Sequence, residues 1–341
     1  MTGKPLVSIL IPAYNAELWI AETIQSALAQ TWPNKEIIVV NDGSSDQTAK
    51  IADRFSAQGV TVLTTENYGQ SVALNFAFRQ SRGDYIQYLD ADDLLAPKKI
   101  ERQFQALRDS DDKRLLLSCP WAYFYHRTSK ARFVPNSLWE DLSPVDWLLR
   151  KMGQGIHMPN HTWLVNRQLL DAAGSWDKSL RYDTDGEFFT RVIMASTGTR
   201  FVPDAAAYYR SNVSARTSYI GDSDEKKDSL FRSIKLHIQY LRSLEESERV
   251  RNASVAYLQV WFGIFYPSRP DIVAEAEALA GELGGRLERP RLRSKYAWMI
   301  PFLGWNTAQR AQSVLPQIRT DLARRFDRLM YNLMHAPGQS A

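Results

Sequence analysis

The chain has 341 residues, 44% hydrophobic and 23% charged, with a net charge of +4. That is the composition of a soluble globular protein long enough for a sizeable core, and it does not point to a nucleic-acid partner. The single cysteine, Cys119, excludes an internal disulfide framework and a cysteine-based zinc site, and no apolar run reaches the roughly 18 residues that suggest a membrane span.

The N-terminal stretch MTGKPLVSILIPAYN has one lysine and a short apolar run broken by Pro12. It makes a poor signal peptide and a good first strand, so a cytoplasmic location is expected. LVSILI (6–11), EIIVV (36–40), VTVL (60–63) and DYIQYL (84–89) read as strands, and residues 17–29, 46–57 and 70–81 as the helices between them. Near-continuous apolar strands alternating with helices predict a mostly parallel α/β sheet covered on both faces. In such a sheet ligands bind beyond the carboxyl ends of the strands. IPAYN (11–15), NDGSSD (41–46) and DADD (90–93) each follow a strand end, so the three polar clusters are expected to line one crevice.

From 115 to 215 the pattern is less regular. LLLSCPWAYFYH reads as an aromatic-rich strand pair, residues 143–151 and 166–173 as helices, a further helix starts near Asp185, and TRFVPDAAAYYR closes the region with a strand. GDSDEKKD (221–228) is a polar linker signal. The expected division is a catalytic domain over 1–220, with a donor half over about 1–115 and an acceptor half over about 116–220, and then a helical region over 221–341. Helices are predicted at 224–247, 251–265, 271–283 and 307–334.

DADD raises a physical question. Two carboxylates about 5 Å apart repel by roughly 3 kcal/mol at an effective dielectric of about 20. Asp90, Asp92 and Asp93 relieve this either as a solvated turn, with Asp90 or Asp93 capping the next helix, or around a divalent cation. NDGSSD carries the same ambiguity: Ser44 or Ser45 can cap a helix, while Asp42 at a strand end can accept a nucleobase N–H. Tyr14 fits either the core or a stacking face for a base.

VSILIPAYNAE, EIIVVNDGSSDQT, ENYGQSVALNFAFRQSRGDYIQYLDADD and WDKSLRYDTDGEFFTR, in this order over residues 5–215, resemble the family 2 glycosyltransferases, nucleotide-sugar-dependent enzymes of the GT-A fold. The resemblance implies a donor site of Pro12, Ala13, Tyr14, Asp42, Asn67, Asp90 and Ala91. Tyr14 and Asp42 would hold the base, Asn67 would lie beside the donor, and Asp90 would handle the ribose. Asp92 would bind a diphosphate-bound Mn²⁺ or Mg²⁺, and Asp93 matches a third acidic position of variable role. The donor would be a nucleotide-diphospho sugar of the UDP class and the acceptor a carbohydrate or lipid-linked molecule, with inversion at the transferred carbon.

The family's acidic base motif falls on Asp183-Thr184-Asp185-Gly186-Glu187, with Thr184 where a glutamate is usual. Asp185 is the expected base, with Asp183 and Glu187 as competitors and helix capping as the plain alternative. Asn212 stands where many relatives carry a histidine, so a role of that histidine does not carry over, and Arg210 or Arg216 is left as a phosphate contact or a surface residue. His157 and His161 are spaced for a helical metal pair, but Pro159 between them argues against a helix, which leaves a role near the acceptor.

Two enzyme rivals lack their signatures. No Gly-rich phosphate loop of a nucleotidyltransferase follows the first strand, and neither does the GxGxxG of a dehydrogenase. The non-enzymatic alternative is a GT-A-like binding protein that lost catalysis, favoured by Thr184. The tail over 281–341 holds ten Lys/Arg against four Asp/Glu, and KYAWMIPFLGW (295–305) precedes a helix whose apolar stripe is interspersed with arginines. Packing on the domain, homo-oligomerisation, or peripheral contact with the inner face of the membrane through 295–341 all fit.

Overall fold

The computed structural model describes residues 3–108, 112–211, 220–221 and 223–290, with 296, 298–299, 301–302, 304, 307, 312 and 324–331 of the tail. In chain order these form β1 (Val7–Ala13), α1 (Ile20–Leu28), β2 (Lys35–Asp42), α2 (Thr48–Asp53), β3 (Val60–Thr65), α3 (Gln70–Gln80) and β4 (Tyr85–Tyr88). Next come β5 (Leu94–Leu95), α4 (Lys99–Gln105), β6 (Leu115–Ser118), β7 (Trp121–Phe124), β8 (Arg132–Phe133), α5 (Pro144–Gln154) and β9 (Val165–Asn166). They are followed by α6 (Arg167–Ala173), α7 (Thr184–Ala195), β10 (Gly198–Phe201), β11 (Ala207–Arg210), α8 (Asp224–Leu244), α9 (Glu248–Phe265) and α10 (Pro270–Glu282).

The central sheet runs β3-β2-β1-β4-β9, parallel except for β9, which lies antiparallel on β4. Every residue of β1 is buried, which is why its apolar run is unbroken: a parallel strand covered on both faces has no polar side to show. Register aligns the carboxyl ends. Ala13 sits beside Asn41, Asp42 beside Thr65, and the Leu89 N–H donates to the Leu10 carbonyl, so the chain beyond β4 leaves the sheet next to the end of β1. The three polar clusters therefore come out along one edge, as the alternation predicts.

Two smaller sheets carry the second half. LLLSCPWAYFYH does give two strands, but they do not pair with each other. β6 pairs with β10, and β7 enters the β5-β11-β7-β8 sheet. Cys119-Pro120 carries the chain from one sheet to the other; proline has no N–H to donate to a ladder. TRFVPDAAAYYR likewise splits into β10 and β11. The helix expected over 46–57 is shorter: α2 ends at Asp53, and a separate turn of 3₁₀ helix follows at Ser56–Gln58.

Serine at N-caps starts the later helices. Ser143 accepts the Asp146 N–H at 3.1 Å, Ser223 the Lys226 N–H at 3.3 Å and Ser247 the Val250 N–H at 3.4 Å. The polar run at 221–228 is thus largely a helix start, with Asp224 and Glu225 favourably placed in the first turn of α8. Buried apolar side chains from Val7 to Leu283 form one continuous cluster, so α8, α9 and α10 share a core with the sheets. The helix expected over 307–334 lies mostly outside the described residues; 324–331 is helical. Among the described residues no helix is long and apolar enough to cross a membrane.

Candidate active site

At the end of β1, Pro12 and Ala13 are buried and Tyr14 is 52% exposed. Asn15 turns the chain with φ +47° and ties it to the next strand end: its N–H donates to Ser44 Oγ at 3.0 Å and its Oδ1 accepts the Ser45 N–H at 2.9 Å. Ser44 and Ser45 therefore brace two loops rather than cap α2, whose entry is held by Asp46 accepting the Thr48 N–H at 2.9 Å.

Asp42 is buried, and both its oxygens are engaged. Oδ1 accepts the Tyr68 N–H at 3.0 Å and Oδ2 the Gly69 N–H at 2.9 Å, with Thr65 Oγ1 3.4 Å from Oδ1. Gly43 makes the approach possible, because a Cβ there would lie 2.5 Å from the Asn67 nitrogen, and its φ is +66°. Asn67 and Tyr68 are exposed on the resulting loop. Tyr14 follows β1 and Tyr68 follows β3, so exposed tyrosines flank the β2 end that carries Asp42.

The DADD turn is held from three sides. Asp90 Oδ1 accepts Gln70 Nε2 at 3.0 Å and Asn160 Nδ2 at 2.9 Å. Burial, with the charges of Asp93 and Asp92, raises the Asp90 pKa to about 7. Asp93 is fully buried. Its Oδ1 accepts the Arg210 N–H at 2.8 Å and its Oδ2 lies 2.9 Å from His161 Nδ1. Neither Asp90 nor Asp93 is a helix cap, since α4 begins only at Lys99. Ala91 and Asp92 are half-buried.

Arg210 is a buried strut. Nε donates to the Asp92 carbonyl at 2.7 Å, Nη1 to the Tyr125 carbonyl at 2.9 Å and Nη2 to Glu22 Oε2 at 2.6 Å, while the Trp19 and Phe124 rings each lie 4.4 Å from its guanidinium carbon. The reading of Arg210 as a surface or phosphate-facing residue is thereby corrected: its donors are spent inside the fold. Asn212 and Arg216 lie outside the described residues.

At the second end of the crevice, the three acidic candidates differ sharply. Glu187 is buried in a two-point ion pair with Arg191, at 2.6 and 2.9 Å, and accepts the Tyr240 hydroxyl at 2.9 Å. Asp183 precedes α7 with φ +56°, accepts Ser233 Oγ at 2.6 Å, and is pushed up to about 6 by burial. Asp185 is half-buried, and among the described residues its carboxylate makes no hydrogen bond or ion pair. Of the three it is the one left to accept a proton.

Residues 156–159 are irregular and Asn160–Thr162 is one 3₁₀ turn, so His157 and His161 do not form a helical pair. His161 is fully buried, stacked on Tyr209 at 5.9 Å, and burial lowers its pKa to about 4, with Asp90, Asp92 and Asp185 all acting on it electrostatically. His157 lies against Trp121 with ring centroids 5.5 Å apart.

The sequence reading misses Gln70 and Asn160, the amides that hold Asp90; nothing about an isolated amide marks it. It also misses Lys151, which had a signal. Lys151 falls three and four residues after Leu148 and Trp147, on the buried face of α5.

A mostly parallel sheet with Asp42 and an Asp-X-Asp turn at its strand ends, backed by helices, is the architecture of a GT-A glycosyltransferase. Residues 8–171 match the family model described as Glycosyl transferase family 2. An uncharacterized glycosyltransferase of Rickettsia typhi is 35% identical over 198 residues, covering 58% of this chain and 61% of that protein. One from Rickettsia bellii is 28% identical, covering 93% of this chain and 44% of the other. The chain thus spans less than two thirds of these relatives' lengths. Among solved structures it is similar in fold to S. aureus TarS 1-349 in complex with UDP, with TM-score 0.60, 16% identity, and coverage of 81% of this chain and 88% of that one. It is also similar to the mannosyltransferase PcManGT of Pyrobaculum calidifontis in complex with GDP-Man and Mn²⁺, with TM-score 0.51, 20% identity, and coverage of 96% and 88%.

Proposed function

We propose that this chain is an inverting glycosyltransferase that moves a sugar from a nucleotide-diphospho sugar, of the UDP class, to a hydroxyl of a carbohydrate or lipid-linked acceptor. The observation that carries this reading is the DADD turn at the end of the sheet, where Gln70 and Asn160 hold Asp90 and the buried His161 lies 2.9 Å from Asp93, with Asp185 acting electrostatically on the same imidazole. A donor-binding strand end and a free carboxylate at a helix start share one neighbourhood, which a displacement reaction needs and a simple binding site does not. Solved structures of similar fold with UDP, UDP-GlcNAc or GDP-Man bound support a nucleotide-sugar donor.

Placement supports the donor roles. Tyr14 offers an exposed ring for a base. Asp42 holds the wall of the base pocket, and the lone pair its oxygens retain is available to a base N–H. Asn67 lies on the same wall beside the donor, and Asp90, oriented by two amides, takes the ribose.

The donor set fits a hard divalent cation, since it is all oxygen and Asp90, Asp92 and Asp93 are crowded into one turn at a strand end. Among the described residues no group of three or more His, Cys, Asp or Glu could hold a metal alone, in keeping with a site that shares its cation with diphosphate oxygens. Asp92 would hold Mn²⁺ or Mg²⁺, which when bound supplies charge stabilisation for the departing diphosphate. Asp185 accepts the proton of the acceptor hydroxyl as its oxygen attacks, in a single displacement.

Release of UDP from UDP-sugars, with and without acceptor and Mn²⁺, tests the reading. Turnover is expected to require metal and to vanish in Asp92→Asn with the fold intact. Full activity of Asp92→Asn in the presence of chelator would remove the metal role. Binding of donor with no release under any condition would favour the inactive alternative.

The tail supports peripheral docking on an anionic membrane face. Asp327 turns inward, 2.6 Å from Arg127, while Phe326 and Leu329 are exposed on the helical stretch that also carries Arg324, Arg325 and Arg328, and Trp298 and Phe302 are exposed earlier in the tail. Flotation with anionic but not neutral vesicles, weakened by salt, is expected. No flotation at low salt would leave packing or oligomerisation as the tail's role.

A further inference from the structure

The first turn of α7, which carries Asp185, rests on buried polar groups supplied by three other helices. From α5, the buried Lys151 places Nζ 3.3 Å from the Gly186 carbonyl, 3.3 Å from Thr190 Oγ1 and 3.4 Å from His237 Nε2. From α8, Ser233 donates to Asp183 at 2.6 Å, and the fully buried His237 lies 3.8 Å from the same carboxylate oxygen through Nδ1. From α9, the Tyr257 hydroxyl meets His237 Nδ1 at 3.0 Å. Ser229, also on α8, accepts the N–H groups of Arg181 and Tyr182 at 2.8 and 2.9 Å and so fixes the approach to the turn. Gly186 completes the fit, because a Cβ there would lie 2.0 Å from Asp183 Oδ1.

Burying a lysine is costly unless carboxylates answer it. Burial lowers the Lys151 pKa, and Asp183, Asp185 and Glu187 oppose that fall. Glu187 is already paired with Arg191, which leaves Asp183 as the carboxylate whose pKa the ammonium holds down against burial. Burial also drives the His237 pKa well down, with the charge of Lys151 adding to the effect. The imidazole is therefore neutral, and Lys151 is the cation of the cluster. Ser233, His237 and Tyr257 all lie beyond the 8–171 family match.

We infer that Lys151, seated by His237, is a positioning residue for the transfer step: its ammonium fixes the first turn of α7 from below and balances Asp183, which holds Asp185 where it takes the acceptor proton. The inference rests on Asp185 being the base. Among the described residues the groups facing that turn are Lys151 from α5, His237 and Tyr240 from α8, Tyr257 from α9, His157 and His161 from the segment before β9, and Tyr182, Asp183, Glu187 and Arg191 from the chain itself, with Arg191 taken up by Glu187. Among the rest Lys151 is the positive charge. Removing it makes Asp183 harder to ionise and takes the counter-charge from the turn that carries Asp185, so the acid-side fall in transfer rate moves to higher pH.

The test compares Lys151→Met, Lys151→Arg and Asp185→Asn in the full chain, reading kcat and KM for a UDP-sugar across pH, with calorimetric UDP binding and thermal denaturation as controls. Lys151→Met is expected to lower kcat at least about tenfold with donor KM little changed, and to shift the acid limb upward by roughly one pH unit or more. Lys151→Arg is expected to restore the wild-type limb. A lowered melting temperature with an unmoved pH profile and kcat would overturn the inference and leave Lys151 merely structural. Should Lys151→Met fail to fold, Lys151→Gln, which keeps a donor but loses the charge, carries the same expectation. If Asp185→Asn keeps full activity, the base reading itself fails and takes this inference with it. If Asp185→Asn is inactive while Lys151→Met behaves as wild type, only the inference fails.

Discussion

The two ends of the crevice are built in opposite ways. The proposed donor end, set against the proposed base end at α7, is made where parallel strands stop, and its parts hold one another across neighbouring strand ends. Asp42 binds backbone at positions 26 and 27 further on, and Asn15 grips the loop 29 and 30 residues away. The base end has no such frame. Its helix turn is held by side chains 35, 50 and 86 positions from their partners, brought by α5 and α8. The donor end therefore inherits its geometry from sheet register, and the base end from long-range buried polar contacts. A substitution in the first should act on nucleotide binding and one in the second on turnover.

The largest expected effect would break that contrast outright if it failed. Asp185→Asn should reduce transfer by about 10²–10⁴ while UDP affinity, measured calorimetrically, stays near wild type. A matching loss of UDP affinity would mean the two ends are one energetic unit. If Asp183→Asn is the crippling change instead, the base lies two residues earlier.

Arg210→Met sharpens the comparison, because this residue ties the DADD turn to β11. It leaves the Asp92 and Tyr125 carbonyls and the partner Glu22 short of donors, and should cost about 3–5 kcal/mol, read from urea denaturation. A loss under 1 kcal/mol would show that the strut is dispensable. The smallest effect is at the donor wall. Gly43→Ala forces a methyl against the Asn67 backbone at positive φ and should cost roughly 1–3 kcal/mol, with weaker UDP binding and an unchanged transfer step once the donor is saturating.

The sequence was most readable where a pattern repeats. Unbroken apolar strands gave the parallel sheet, and the polar ends of β1, β2 and β4 gave the crevice. It misled where one residue's surroundings decide the matter. Cys119-Pro120 sits inside an apolar, aromatic stretch, so β6 and β7 read as partners although each finds a distant one. Arginine is ordinarily a surface residue, so nothing near Arg210 announces that two rings and three acceptors await its side chain. Lys151 is the intermediate case. Its place on the apolar face of α5 marks it as buried, but the carboxylates that make burial tolerable come from α7.

Arg210 also sets an order of assembly. Its Nε reaches the Asp92 carbonyl across 118 residues of chain. During synthesis at about 5–20 residues per second, roughly 6–24 s separate the emergence of the DADD turn from that of the arginine that pins it. In that interval β1, β2 and β4 can pair and bury their faces, but the carboxylates of the turn face one another without their strut. A soluble divalent cation or a nucleotide–metal complex is the natural visitor for such a half-finished strand end, so the medium in which the chain is made bears on how smoothly this corner closes.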